Sequence, residues 1–214
     1  MHKKDGIKDE VKDAIEAFSV VQEAEEDNRQ AALADLKFAR LGEQWPEQIK
    51  NQREMERRPC LTINRLPAFI RQVVNDARQN KQQMTVHPAD SMADKETAKI
   101  IQGLLYSTQQ SSKADIAYDT AIEFAVSMGF GYFRVDVDYS HDDTFELDIM
   151  INPVRNPFSV YGDPHSISAD SADWNSAFVR EAMTPKEFGE RWPDAEEQSF
   201  GDDDYLDVAW RGEK

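Results

Sequence analysis

ADIAYDTAIEFAVSMGFGYFRVDVDYSHDDTFELDIMI, residues 114–151, changes its hydrophobic period once, and that change decides the fold class. Up to Met128, the residues Ala117, Ala121, Phe124, Ala125 and Met128 recur at helical spacing and mark one face of a helix. Gly129 stops it. Beyond Gly131 the period is two: Phe133, Val135, Val137 and Tyr139 alternate with Tyr132, Arg134, Asp136 and Asp138. Phe145, Leu147, Ile149 and Ile151 then alternate with Glu146, Asp148 and Met150. This pattern predicts two half-buried strands joined through Ser140-His141-Asp142-Asp143-Thr144 as a hairpin.

Upstream of this stretch the chain reads as helix. Ile7, Val11, Ala14, Ile15 and Phe18 form an apolar stripe that weakens through Glu23–Asn28 and resumes at Ala31, Ala32, Leu33, Leu36 and Ala39. That is one long helix, or two joined near Asp27, with Gly42 as the left-handed terminator. So narrow a stripe needs something to lie against, either the body of the protein or another subunit. Gln44-Trp45-Pro46 breaks the pattern, and Glu47–Arg58 is a short charged helix ended by Pro59. Asn64 is the expected N-cap of a helix from Arg65 to about Asn80, with Pro67 tolerated in its first turn. Its apolar face is Leu66, Phe69, Ile70, Val73, Val74 and Ala77, and its polar stripe is Arg71, Asn75, Arg78 and Gln82. Thr85–Pro88 is an extended exit. A further helix from about Met92 to Ser107 is expected to pack Ile101, Leu104 and Leu105, before a polar break at Gln109–Ser112.

Downstream, Asn152-Pro153 and Asn156-Pro157 bound a turn, Ser159–Tyr161 is a brief strand, and Ala177–Met183 reads as another. Thr184-Pro185-Lys186-Glu187 carries both residues of a capping box and a proline at the first helical position, so a short helix starts there. Helices first and a small antiparallel sheet after, with a short capped helix, give an α+β class. Three regions are expected: an N-terminal helical arm (1–42), a helical and β-hairpin domain (43–192), and an acidic start of a further, missing region (193–214).

With 40% hydrophobic residues, four Trp and eleven Phe, the 214 residues suffice for a packed core. No apolar run approaches the ~20 residues of a spanning helix, so neither a signal peptide nor a membrane anchor is expected. A single cysteine, Cys60, excludes an intrachain disulfide framework and reads as a small buried residue of a reducing compartment. The net charge of −16 argues against a nucleic-acid wrapper, but it is unevenly spread. Between Lys37 and Lys81, ten basic residues stand against five acidic ones, so this strip carries +5 and the remainder −21. Either subunits complement one another electrostatically through the strip, or a partner meets only the strip, or it is a solvated helix face with mixed charge. The candidate residues for subunit contact or DNA are Arg53, Arg57, Arg58, Arg71, Asn75 and Arg78.

Signatures of catalysis are weak. Gly129-Phe130-Gly131 lacks the third glycine and following helix of a phosphate loop. With four His and one Cys, an ordinary zinc site is not expected, and no cofactor is. Asp136, Asp138, His141, Asp142 and Asp143 are the best metal candidates, since two-metal nucleases use such carboxylates. On the strands, however, these lie on the solvent side. Asp202-Asp203-Asp204 lacks the turn or backbone cage that converges carboxylates on one ion. A metal-dependent nuclease or phosphodiesterase is thus the catalytic alternative, and a stand-alone nucleic-acid-binding module using the basic strip is another.

Three stretches resemble the portal proteins of P22-like tailed phages (podoviruses). The first is Gly42–Trp45 with Arg57-Arg58-Pro59-Cys60-Leu61-Thr62-Ile63-Asn64-Arg65-Leu66 and Val73–Asn80. The second is Met128-Gly129-Phe130-Gly131-Tyr132-Phe133-Arg134-Val135. The third is Asn152-Pro153-Val154-Arg155-Asn156-Pro157-Phe158-Ser159-Val160-Tyr161-Gly162-Asp163-Pro164, continuing to Ser171-Ala172-Asp173-Trp174. The resemblance implies a non-enzymatic subunit of a dodecameric ring at one capsid vertex of the virion, assembled in the host cytoplasm. Such rings nucleate capsid assembly with scaffolding protein, dock terminase, pass double-stranded DNA during packaging and ejection, and hold the tail adaptor as a head–tail connector. It also implies that these residues belong to the outer wing-type region of a chain several times longer.

Overall fold

A computed structural model of the chain describes residues 2–80, 84–89, 94–139, 145–168 and 171–193. Its elements are α1 (His2–Leu36), a π turn (Lys37–Leu41), α2 (Glu47–Met55), α3 (Leu66–Gln79), α4 (Lys95–Ser111) and α5 (Ala114–Met128). These are followed by β1 (Phe133–Tyr139), β2 (Leu147–Pro153), a 3-10 turn (Pro157–Ser159), β3 (Val160–Tyr161), β4 (Phe178–Val179) and α6 (Pro185–Arg191). Long helices first and two small antiparallel sheets after make an α+β protein, as the period change at Gly129 predicts. The chain gathers into two compact units, one from its first 33 residues together with Phe158 onward, the other Ala34–Pro157.

In the first unit, α1 is one continuous helix with no joint at Asp27. Its inward line runs Phe18, Val21, Glu25, Arg29 and Ala32, spaced three or four apart. The apolar stripe therefore does not lapse at Glu23–Asn28. Its chemistry changes there, because a paired Glu and Arg occupy inward positions. β3 and β4 pair antiparallel, Val160 opposite Val179 and Tyr161 opposite Phe178. The expected strand over Ala177–Met183 is thus only two residues long. α6 opens with the predicted capping box: Thr184 Oγ1 accepts from the Glu187 amide at 3.3 Å, and Glu187 accepts from the Thr184 amide at 2.9 Å.

In the second unit, the π turn ends at Gly42, whose φ of +68° is the left-handed conformation glycine adopts without strain. Asn64 ties this turn to α3. Its Nδ2 donates to the Ala39 carbonyl at 2.6 Å, and its Oδ1 accepts from the Leu66 amide at 3.1 Å. The helix starts at Leu66, one residue later than expected, with Asn64 still serving its first turn. α4 begins at Lys95, capped by Asp94 rather than near Met92, and runs on to Ser111 through the expected polar break. Lys113, at φ +51°, makes the turn into α5. Gln102 of α4 holds the extended exit from α3, donating to Met84 O at 2.8 Å and accepting from the Val86 amide at 2.7 Å.

α5 is the buried helix of this unit. Ala114, Ala117, Ala121, Phe124 and Met128 line its inward face, whereas Ala125 is exposed. It packs on α3 and β2, and Ala114, Ala117 and Ile151 form a small core with Tyr118 against it. Gly131 lies so close to α5 that a Cβ there would fall 2.0 Å from the Ala121 carbonyl oxygen. β1 and β2 pair in the register Val135↔Ile151, Val137↔Ile149 and Tyr139↔Leu147.

Two packing expectations fail. Ile101 and Leu104 of α4 are exposed, and so is most of the described hairpin. Of the paired apolar side chains only Ile151, at the base, is buried; Val135, Val137, Tyr139, Leu147 and Ile149 are each more than half exposed. Strand alternation reports which side chains share a face, not whether anything covers it. The Ser140–Thr144 connection and the acidic residues from Asp194 onward lie outside the described residues.

Candidate functional site

A buried polar centre lies in the first unit, around Arg29. Its guanidinium is buried, with Nε donating to Glu25 Oε2 at 2.8 Å and Nη1 to the Phe158 carbonyl at 2.7 Å. Nη2 donates to the Val160 carbonyl. The same group lies over the Tyr161 ring, 3.6 Å from its centroid, a cation–π contact stripped of water. Glu25 completes the circuit, its Oε1 accepting from the Gly162 amide at 3.1 Å. Phe18 meets the Tyr161 and Phe178 rings edge-on at 4.8 and 5.4 Å. Gly162 leaves no room for a side chain, since a Cβ would fall 2.3 Å from the Trp174 ring.

This centre explains the quoted stretch Phe158-Ser159-Val160-Tyr161-Gly162 chemically. Two of its carbonyls and one amide are satisfied by a helical ion pair, so the backbone can be buried without orphan groups. The centre is a clamp, with Nε, Nη1 and Nη2 of Arg29 each donating to a group of its own unit. Its residues escape a search for apolar stripes; the one sequence signal was Glu25 and Arg29 at i, i+4.

The loop after β3 is organised by two carboxylates. Asp163 accepts from the His165 and Asn175 amides at 2.9 and 3.1 Å and from Asn175 Nδ2 at 3.0 Å. Asp173 accepts from the Ile167 amide at 2.6 Å, the Ser166 hydroxyl at 2.7 Å and the Ser168 amide at 3.1 Å. These donors, the Ile167 amide foremost, hold the Asp173 carboxyl down at about 2, and the His165 amide leads in lowering Asp163.

The basic-strip residues fall into separate surroundings. Arg53 on α2 donates from Nη2 to the Pro59 carbonyl at 3.1 Å and lies 4.9 Å over the Trp45 ring. Arg57 follows α2 at φ +55°, and Arg58 pairs with its neighbour Glu56 at 3.2 Å. On α3, Arg71 donates to Pro67 O at 3.2 Å, one turn back, and Asn75 is exposed. Arg78 pairs with Asp119 of α5 at 2.7 Å. Arg40 likewise joins Glu123 of α5 at 2.9 Å and lies over Phe124. Arg40 and Arg78 thus make exposed ion pairs to α5 within their own unit, and Gln82 lies outside the described residues.

Of the metal candidates, only Asp136 and Asp138 lie among the described residues. Asp136 pairs with Arg134 at 2.8 Å, and Asp138 stands opposite Asp148 in the strand register. His141, Asp142, Asp143 and Asp202-Asp203-Asp204 lie outside the described residues. Among the described residues, no group of three or more His, Cys, Asp or Glu could hold a metal ion, and no helix is long and apolar enough to cross a membrane.

Two comparisons with known proteins bear on this arrangement. The family model described as "Phage P22-like portal protein" matches residues 15–213. A protein named "Portal protein", from Acyrthosiphon pisum secondary endosymbiont phage 1, is 24% identical over 180 residues, 80% of this chain and 25% of that protein. The chain therefore spans about a quarter of the length of this curated relative.

Proposed function

Since the chain belongs to the phage P22-like portal protein family, we propose that it forms part of a structural subunit of the ring through which phage DNA is packaged and ejected. The family match over nearly all of its length carries this reading. Its role is architectural, not catalytic; the Arg29 centre supports this reading, because the hydrogen bonds that build it go to the protein's own carboxylate and backbone. The ring is dodecameric, sits at the portal vertex of the virion and assembles in the host cytoplasm. There it contacts capsid and scaffolding proteins, terminase and the tail adaptor, with double-stranded DNA passing through. The residues present form its wing-type region, comprising the helical arm 1–42 and the helix-plus-hairpin domain 43–192. Arg53, Arg57, Arg58, Arg71, Asn75 and Arg78 serve the subunit interface or face DNA, Arg78 also pairing with Asp119 of α5.

Native mass measurement of the assembled particle, with negative-stain imaging, tests this. Closed rings of twelve copies are the expected result. A chain that stays monomeric and enters no ring, or a divalent-ion-dependent nuclease activity lost on replacing Asp136, Asp138 and His141 with Ala while the fold survives, would overturn it.

A further inference from the structure

Two surfaces of the second unit are incomplete on a single copy, and their chemistries are opposite. The first is the β1–β2 ribbon. Beyond Ile151 it projects past the small core, leaving Val135, Val137, Tyr139, Leu147 and Ile149 on one uncovered face. A two-stranded ribbon is marginal by itself in water and needs cover on its apolar face. Residues 136–148 hold six carboxylates and no Lys or Arg. Within the ribbon, Asp138 stands directly opposite Asp148, and among the described residues no cation pairs with either. Like charges at directly opposed positions destabilise a strand pair, so this ribbon lacks a positive neighbour as well as an apolar one.

The second surface follows α2. Residues 57–73 hold four arginines and no carboxylate. Leu61, Ile63 and Phe69 are among the most exposed large apolar side chains described, at 78%, 79% and 63%, and Val73 is nearly half exposed. Arg65, just before α3, and Phe69 and Val73 on it succeed one another at four-residue steps. Arg57 and Arg65 make no ion pair among the described residues. Apolar surface of this kind, rimmed by charge, marks an association site.

We propose that the β1–β2 ribbon of one copy docks on the 57–73 surface of the next copy. This rests on the portal reading and names the contact that would propagate the ring. Val137, Tyr139, Leu147 and Ile149 cover Leu61, Ile63, Phe69 and Val73. A ribbon two strands wide is narrow enough for Arg57 and Arg65 to reach round its edges to Asp138 and Asp148 on the far face. The two surfaces are different parts of one molecule, so the contact is head-to-tail and each copy keeps one free half of each kind. Such contacts close into rings when the rotation between copies closes. The acidic ribbon also has a repulsive response to DNA, so a second copy fits it and nucleic acid does not.

Mixing two charge-reversed full chains tests this. One carries Asp138→Arg with Asp148→Arg, so the contact positions 138, 148, 57 and 65 are all basic. The other carries Arg57→Glu with Arg65→Glu, so the same four contact positions are all acidic. Each alone should associate about a hundredfold more weakly than the unaltered chain by sedimentation. An equimolar mixture should regain assembly, because every ribbon then meets a surface of opposite sign. Should a variant lose helicity by circular dichroism, Val137→Cys supplies the second test. Under mild oxidation it should bond to Cys60 of the neighbouring copy and give a ladder beyond the dimer, and Cys60→Ser should abolish that ladder. Rings that form normally from either reversed chain, with no ladder from Val137→Cys, would overturn the docking while leaving the portal reading intact. An unaltered chain that stays monomeric would overturn both.

Discussion

Replacing Arg29 with Met removes a buried cation while keeping a side chain of similar length. The Glu25 carboxylate, the Phe158 carbonyl and the Val160 carbonyl all lose a donor, and Tyr161 loses the cation over its ring. Breaking a buried ion pair from one side costs about 3–5 kcal/mol, mostly through the groups left unpaired. The Arg29 side chain is 6% exposed and that of Glu25 26%, so water partly reaches the abandoned carboxylate and the lower half of that range applies. A loss of about 3–4 kcal/mol lowers Tm by about 6–16 °C in a chain of this size. Urea unfolding followed by helical circular dichroism should show the midpoint falling with an unchanged slope. Glu25→Gln should cost less, and the double variant less than the sum of the two, because both act on one network. Strictly additive effects, or a loss below about 1 kcal/mol for Arg29→Met, would refute the clamp.

Gly162→Ala should displace the Trp174 ring, shift its fluorescence and destabilise the chain by about 1–3 kcal/mol; an unshifted spectrum counts against the close approach. Thr184→Ala should cost about 1 kcal/mol, read as faster amide exchange confined to α6. Asp173 titrates in the folded chain below the ordinary carboxylate value of 3.8, at about 2, so its stabilisation is complete above 3.8 and lost as pH falls towards 2. Amide protection at Ile167 and Ser168 should therefore be level from neutral pH to about 4 and decline below it, and Asp173→Asn should remove that step.

What was legible in the residues divides along physical lines. α5 and the hairpin were readable because a buried helix and a paired ribbon impose periods of 3.6 and 2, and Gly129, at φ +96°, marks the change between them. The α6 capping box was readable because it is local, closed within four residues. Arg29 was not, because its value depends on two carbonyls about 130 residues away that no local pattern announces. The continuity of α1 was obscured for the same reason, since inward-facing Glu25 and Arg29 look like an interruption of an apolar stripe. The exposure of the hairpin was misread because alternation is the same whether a face is covered by its own chain, by another copy or by nothing. Among the candidate basic residues, Arg78 looked equivalent to Arg57, because no local pattern announces its pairing with Asp119 of α5, 41 residues away.

Locating this chain in the intact phage head tests the account most directly. Gold-conjugated antibody raised against residues 1–214, applied to heads opened at the tail vertex and imaged by electron microscopy, reports where its copies sit. A portal subunit predicts label at a single vertex in each head, at the site of tail attachment. Label spread over the shell, or heads that carry none while the chain remains in the unassembled fraction, would contradict it.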